Sequence, residues 1–142
     1  MRVCGVEFKG NDAVISILED NKGLFNILDV RVARVAVENA EDAEAMQKFQ
    51  FSFKKLMQDY QVDKVIIRAR PMRGKFAGAA VGFKLEAAVQ LCTDLDVELI
   101  QPTEIKALSK RNPLPIDFKE TGLKVFQEAA FTVAYLYLMQ NS

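Results

Sequence analysis

Arg2-Val3-Cys4-Gly5-Val6-Glu7-Phe8, followed by Lys9-Gly10-Asn11-Asp12 and then Ala13-Val14-Ile15-Ser16-Ile17-Leu18, reads as a strand, a turn and a returning strand. The first run alternates, placing Val3, Gly5 and Glu7 on one side and Cys4, Val6 and Phe8 on the other. Gly10 and Asn11 accept positive φ at little steric cost and Asp12 bonds to nearby backbone, so the residues between the runs are turn chemistry. The second run is rich in β-branched residues. One carboxylate, Glu7, therefore stands near the end of a strand whose apolar company marks it as buried.

Outward from this hairpin, Glu19 to Gly23 forms a second polar turn and Leu24 to Val37 a long third strand, with Arg31 and Arg34 facing water as on a sheet edge. Met46, Phe49, Phe53, Leu56, Met57 and Tyr60 fall at helical spacing, with Phe51 off the stripe. Val62 to Ile67 is a short continuous apolar strand of the kind buried on both faces of a parallel sheet. A small-residue helix is expected from about Phe76 to Thr93, with Phe76, Ala80, Phe83, Ala87 and Leu91 as its core stripe. Gly78, Ala79 and Gly82 leave room there for a close neighbour. Val97 to Ile100 is a fifth strand, parallel to the fourth by the handedness of strand-helix-strand connections. Thr103 caps a short helix that Pro113 and Pro115 follow, and Asp117 with Glu120 forms a capping box for a last helix running to about Met139. Phe126, Ala129, Ala130, Val133, Leu136 and Tyr137 are its expected core face. The pattern predicts an α/β fold: a mixed five-stranded sheet, three antiparallel strands then a parallel βαβ unit, with helices on both faces. The first strand lies centrally beside the fourth, and residues 1–142 form a single domain.

Lys plus Arg number 19 and Asp plus Glu number 19, so no global field draws the chain to nucleic acid or to a membrane. No apolar run approaches the ~18 residues of a membrane span, and a cytoplasmic protein is expected. Cys4 and Cys92 read as buried, reduced thiols. The chain has 0 histidines. This excludes Ser-His-Asp and Cys-His nucleophilic machinery and His-containing zinc sites. Chemistry, if present, rests on carboxylates, lysines or a metal held through oxygen.

In element order the chain resembles the ribonuclease H-like superfamily, most closely the RuvC-type Holliday-junction resolvases. Within that superfamily it is similar to a small bacterial family of unknown function. Val3-Cys4-Gly5-Val6-Glu7 is similar to the family's first strand, Val65 to Arg70 to its fourth, Lys75 to Ala88 to the helix after it, and Glu128 to Ala134 to the segment carrying its C-terminal acids. The resemblance implies DNA or RNA as partner and Mg²⁺ or Mn²⁺ as cofactor if the protein is active, with Glu7 and Glu128 as catalytic and metal-binding candidates. Three departures accompany it. Glu7 replaces the usual aspartate; Arg68, Ala69 and Arg70 stand where the fourth strand carries a carboxylate; Phe131 stands where a second acid follows Glu128.

Between Val62 and Lys84 the positive residues Lys64, Arg68, Arg70, Arg73, Lys75 and Lys84 face one acid, Asp63. Arg68, Arg70, Arg73, Lys75 and Lys84 are the nucleic-acid-binding candidates, beside the reading of a solvated connector. Lys106, Lys110 and Arg111 form a weaker second group. For Glu7 the structural alternative is pairing with Arg68 or Arg70; for Glu128 it is an ordinary solvated helix face. The competing function is an inert homo-oligomeric interaction module, for instance a homodimer, with Phe51 at the contact.

Overall fold

The computed structural model describes residues 1–141 of the chain. Six strands form one sheet among the described residues: β1 (Arg2–Lys9), β2 (Asp12–Asn21), β3 (Leu24–Ile27), β4 (Arg34–Ala36), β5 (Lys64–Arg68) and β6 (Val97–Ile100). The order is β3-β2-β1-β5-β6, with β4 also on β2. β1 pairs antiparallel with β2, from Arg2 opposite Glu19 to Lys9 opposite Asp12, and Gly10 turns the chain between them at φ 57°. Its other neighbour, β5, runs parallel, as β6 does to β5. The apolar run of β5 is thus buried in the middle of the sheet, as its lack of alternation requires.

Helix α1 (Ala43–Asp59) buries Phe49, Phe53, Leu56 and Met57, and starts where the Asp42 carboxylate accepts from the Ala45 amide at 3.0 Å. With helix α2 (Ala80–Gln90) it covers the sheet face carrying Cys4, Val6, Phe8, Val65 and Ile67. Helix α4 (Glu128–Gln140) covers the face carrying Val3 and Ile66, with Leu108 of helix α3 (Pro102–Arg111) in the same cluster. Gly5 makes the α4 crossing possible. A Cβ on Gly5 would lie 1.8 Å from the Ala130 carbonyl oxygen, so only glycine admits the helix at this depth. Cys4 and Cys92 are buried free thiols, and burial pushes the Cys4 thiol far above its ordinary value. No helix among the described residues is long and apolar enough to cross a membrane.

The structure departs from the sequence expectations at four places. The long third strand is broken into β3 and β4, both paired to β2. Between them the chain leaves the ladder and touches β2 again through Leu28 N–H to Ile17 O at 2.9 Å and Ile15 N–H to Ala33 O at 3.0 Å. Helix α2 begins at Ala80, not Phe76, and buries Leu85 and Val89, leaving Phe76 and Leu91 exposed. Apolar residues lie all round this segment, so spacing alone does not fix which side turns inward. Helix α3 begins at Pro102, the preferred first position for proline, not after a Thr103 cap. Asp117 caps only a 3-10 turn over Phe118–Thr121, which Gly122 ends at φ 78°; α4 starts later, at Glu128.

Candidate functional site

The parallel register sets Val6 beside Ile67, so Glu7 and Arg68 follow one another into the same layer at the strand ends. Both side chains point to the α4 side. Arg68 Nη1 donates to Glu7 Oε2 at 2.7 Å. Glu7 is 5% exposed, whereas a third of the Arg68 side chain meets solvent. Arg68 also lines an open hollow of about 260 Å³ with Ile105, Glu128, Ala129, Thr132 and Val133. The arginine is thus common to both candidate acids: bonded to Glu7, and sharing a hollow with Glu128, which is exposed at the first position of α4.

A pair of divalent ions needs several oxygen ligands converging on centres roughly 3.5–4 Å apart. Among the described residues no three Asp, Glu, His or Cys side chains gather in this way. The Glu7 carboxylate is bonded to the Arg68 guanidinium, whose fixed charge opposes a cation beside it. The residues present do not fit a two-metal centre.

The positive residues grouped by sequence separate in space. Arg68 turns to the α4 side with Glu7. Arg70 leaves β5 toward the α2 side, where its stem lies against Gly78; a Cβ on Gly78 would sit 2.8 Å from Arg70 Cβ. Arg73 and Lys75 are exposed on either side of Gly74, which takes φ 90°, and the Lys75 ammonium lies 5.9 Å from the Phe76 ring centroid. Lys84 is turned elsewhere, donating to the Ala40 carbonyl ahead of α1. Lys106, Lys110 and Arg111 are exposed along α3.

One residue escaped the reading of the sequence. Glu86 on α2 is buried, and burial holds its carboxyl above the ordinary range. It lines a hollow with Phe8, Lys9, Arg70, Gly82 and Phe83. The available signal was slight: Glu86 follows Gly82 by one helical turn, so it shares a face of α2 with a residue that has no side chain.

A mixed sheet whose central strand has one antiparallel and one parallel neighbour, crossed by a C-terminal helix over a glycine, has the ribonuclease H-like fold as RuvC shows it. Solved structures bear this out. The chain superposes on Thermus thermophilus RuvC with a TM-score of 0.71 at 14% identity, covering 99% of this chain and 97% of that one. Against T. thermophilus RuvC in complex with its Holliday junction substrate the TM-score is 0.67 at 14% identity, over 99% and 96% of the two chains. Against the Fowlpox virus resolvase in complex with Holliday junction DNA it is 0.60 at 12% identity, over 99% of each. The chain belongs to the family described as "Protein of unknown function (DUF3010)", whose model matches residues 1–137. No curated protein sequence matches it.

Proposed function

We infer that this chain is a nucleic-acid-binding domain on a RuvC-like fold, with a degraded nuclease centre in which Arg68 neutralises Glu7 where an active site would hold a metal ion. Its contact surface is the loop carrying Arg70, Arg73 and Lys75, at the strand ends beside β1 and β5. The observation that carries this reading is the Glu7–Arg68 bond, which occupies the carboxylate best placed to serve chemistry. The T. thermophilus and Fowlpox proteins of similar fold, solved with Holliday junctions, support DNA as the first ligand to test. Residues 1–142 act as one unit in the cytoplasm.

Anisotropy of labelled duplex, four-way-junction and RNA probes tests it. Affinity should fall steeply between about 50 and 200 mM salt, because phosphate contacts release counterions. Arg70→Ala with Arg73→Ala should weaken all probes and flatten that slope. With Mg²⁺ or Mn²⁺ present the probes should stay intact on a gel. Binding insensitive to salt and to the double substitution rejects the loop as the contact, and cleavage abolished by Glu7→Gln or Glu128→Gln rejects the degraded centre.

A second reading, a homodimeric interaction module without nucleic-acid binding, rests on Phe51 and Leu91. These are 67% and 73% exposed, on helices joined through Gln50 Nε2 to the Ala88 carbonyl at 2.8 Å and a Lys54–Asp94 ion pair. Sedimentation of wild type and Phe51→Lys separates the two: a dimer split by the substitution, with no probe bound, selects the module.

A further inference from the structure

The end of β1 and the start of α2 enclose a second hollow of about 280 Å³, on the sheet face opposite Glu128. Phe8 and Phe83 line it, with Gly82 on its α2 side and Gly78, ahead of the helix, packed against Arg70 and the Phe83 ring. Glu86 closes one part of it, more than nine-tenths buried. Among the described residues this carboxylate has neither a hydrogen bond nor an ion pair, and its oxygens reach the hollow. Lys9 and Arg70 stand in the same walls without closing on it. The residue is buried, but its carboxylate oxygens open onto the hollow, so a ligand that brings donors can meet them there in place of solvent.

The chemistry of the walls narrows the ligand. An ionised carboxyl offers acceptors only, so it is satisfied side-on by two adjacent N–H groups. A cationic donor is disfavoured by Lys9 and Arg70, which instead suit an anion at their side of the hollow. Its flat partner surfaces are phenylalanine rings, on which bases stack. The volume lies just below the roughly 300–1,000 Å³ of small-molecule sites, room for one ring system with its charged group at the rim. Among the nucleobases guanine alone offers two adjacent N–H donors on one edge; adenine and cytosine each pair one donor with an acceptor, and uracil flanks one donor with two acceptors.

We propose that this hollow binds a guanine nucleotide, its N1–H and 2-amino groups donating to Glu86, its ring against Phe8 and Phe83, and its phosphate toward Lys9 and Arg70. The same chemistry is presented by free guanosine monophosphate and by an unpaired guanine in a strand. The first source is independent of nucleic-acid binding by the loop; the second rests on it.

Calorimetric titration of the full chain with guanosine, inosine and adenosine monophosphates, and with hairpins ending in one unpaired guanine or adenine, tests the assignment. Guanosine monophosphate should bind at least about tenfold more tightly than the other two, inosine lacking the 2-amino group. Glu86→Gln, which trades an acceptor oxygen for a donor, should abolish that preference. Gly82→Leu, which fills the hollow and keeps the carboxylate, should weaken the guanine ligands as well, and melting curves establish that both variants are folded. Tighter binding of the guanine hairpin than of the mononucleotide assigns the strand as source; equal or weaker binding assigns the free nucleotide. Equal affinity for the three mononucleotides, a preference that survives Glu86→Gln, or no saturation by about 1 mM of any ligand overturns the proposal. If salt-sensitive duplex binding persists in that case, the guanine site alone is rejected and the loop reading stands.

Discussion

Arg68 reaches from β5 across to the neighbouring parallel strand and bonds Glu7 at 2.7 Å, so the carboxylate at the end of β1 is neutralised by the chain itself. Removing the arginine strands a buried charge. Arg68→Ala should cost about 2–3 kcal/mol in denaturant unfolding, below the figure for a fully enclosed pair because part of the guanidinium is in water. Glu7→Gln should cost less, and combining the two should recover part of the Arg68→Ala loss. Strict additivity in that cycle would mean the two side chains are not coupled.

Gly5 and Ala130 make the second test. Gly5→Ala places a methyl group 1.8 Å from a backbone oxygen, and neither the central strand nor the helix yields cheaply. The expected loss is about 3 kcal/mol, at the severe end for overpacking. A melting temperature within a degree or two of wild type would show that α4 does not sit at this depth.

Glu86 predicts a pH slope of unusual sign. Its folded carboxyl is held above the ordinary value of 4.5 by burial, with Lys9 and Arg70 the charged residues sharing its hollow. The folded state therefore keeps this proton in a range where the unfolded chain releases it. That contribution is fully present below pH 4.5 and is lost as pH rises through the raised folded value. Glu86→Gln should raise stability at pH 7 relative to wild type, with little effect near pH 4, measured by melting curves across that range. Equal effects at both ends would reject burial as the cause.

Asp42 caps α1, accepting from the Ala45 amide at 3.0 Å, with Glu44 adding negative charge to the first turn. Asp42→Ala should cost about 1 kcal/mol, and Asp42→Asn much less, since the amide oxygen can still accept. Urea titration of the three proteins distinguishes a lost cap from a lost charge.

Much of this fold was legible in the residues. The β1–β2 hairpin was marked by alternation on both sides of Gly10, β5 by its unbroken apolar run, and α1 by a clean stripe that turned out buried at Phe49, Phe53, Leu56 and Met57. Where the signal failed, the reason is physical. Leu24 to Val37 has strand composition throughout, and only tertiary pairing reveals that its middle departs from β2. Helices α2 and α4 are apolar nearly all round, so neither their starts nor the rotation of α2 follows from spacing. Asp117 does cap a helical turn, but Glu120 closes no capping box there, and Gly122 limits the start to one 3-10 turn, so the last helix begins only at Glu128. At the site, complementary charge on adjacent strands made a Glu7–Arg68 pairing conceivable from sequence. Glu86 was invisible because a glutamate in a helix ordinarily faces water, and its burial is a property of what α2 packs against.

The interruption between β3 and β4 bears on how copies of this protein meet. A sheet is extended most readily along an edge that offers a long, straight row of unpaired amides and carbonyls. Here one margin is cut into strands of 4 and 3 residues, and the opposite margin, β6, is also 4 residues long. Neither margin is a good template for strand addition. The same break that hid its third strand thus guards the sheet margins against edge-to-edge pairing.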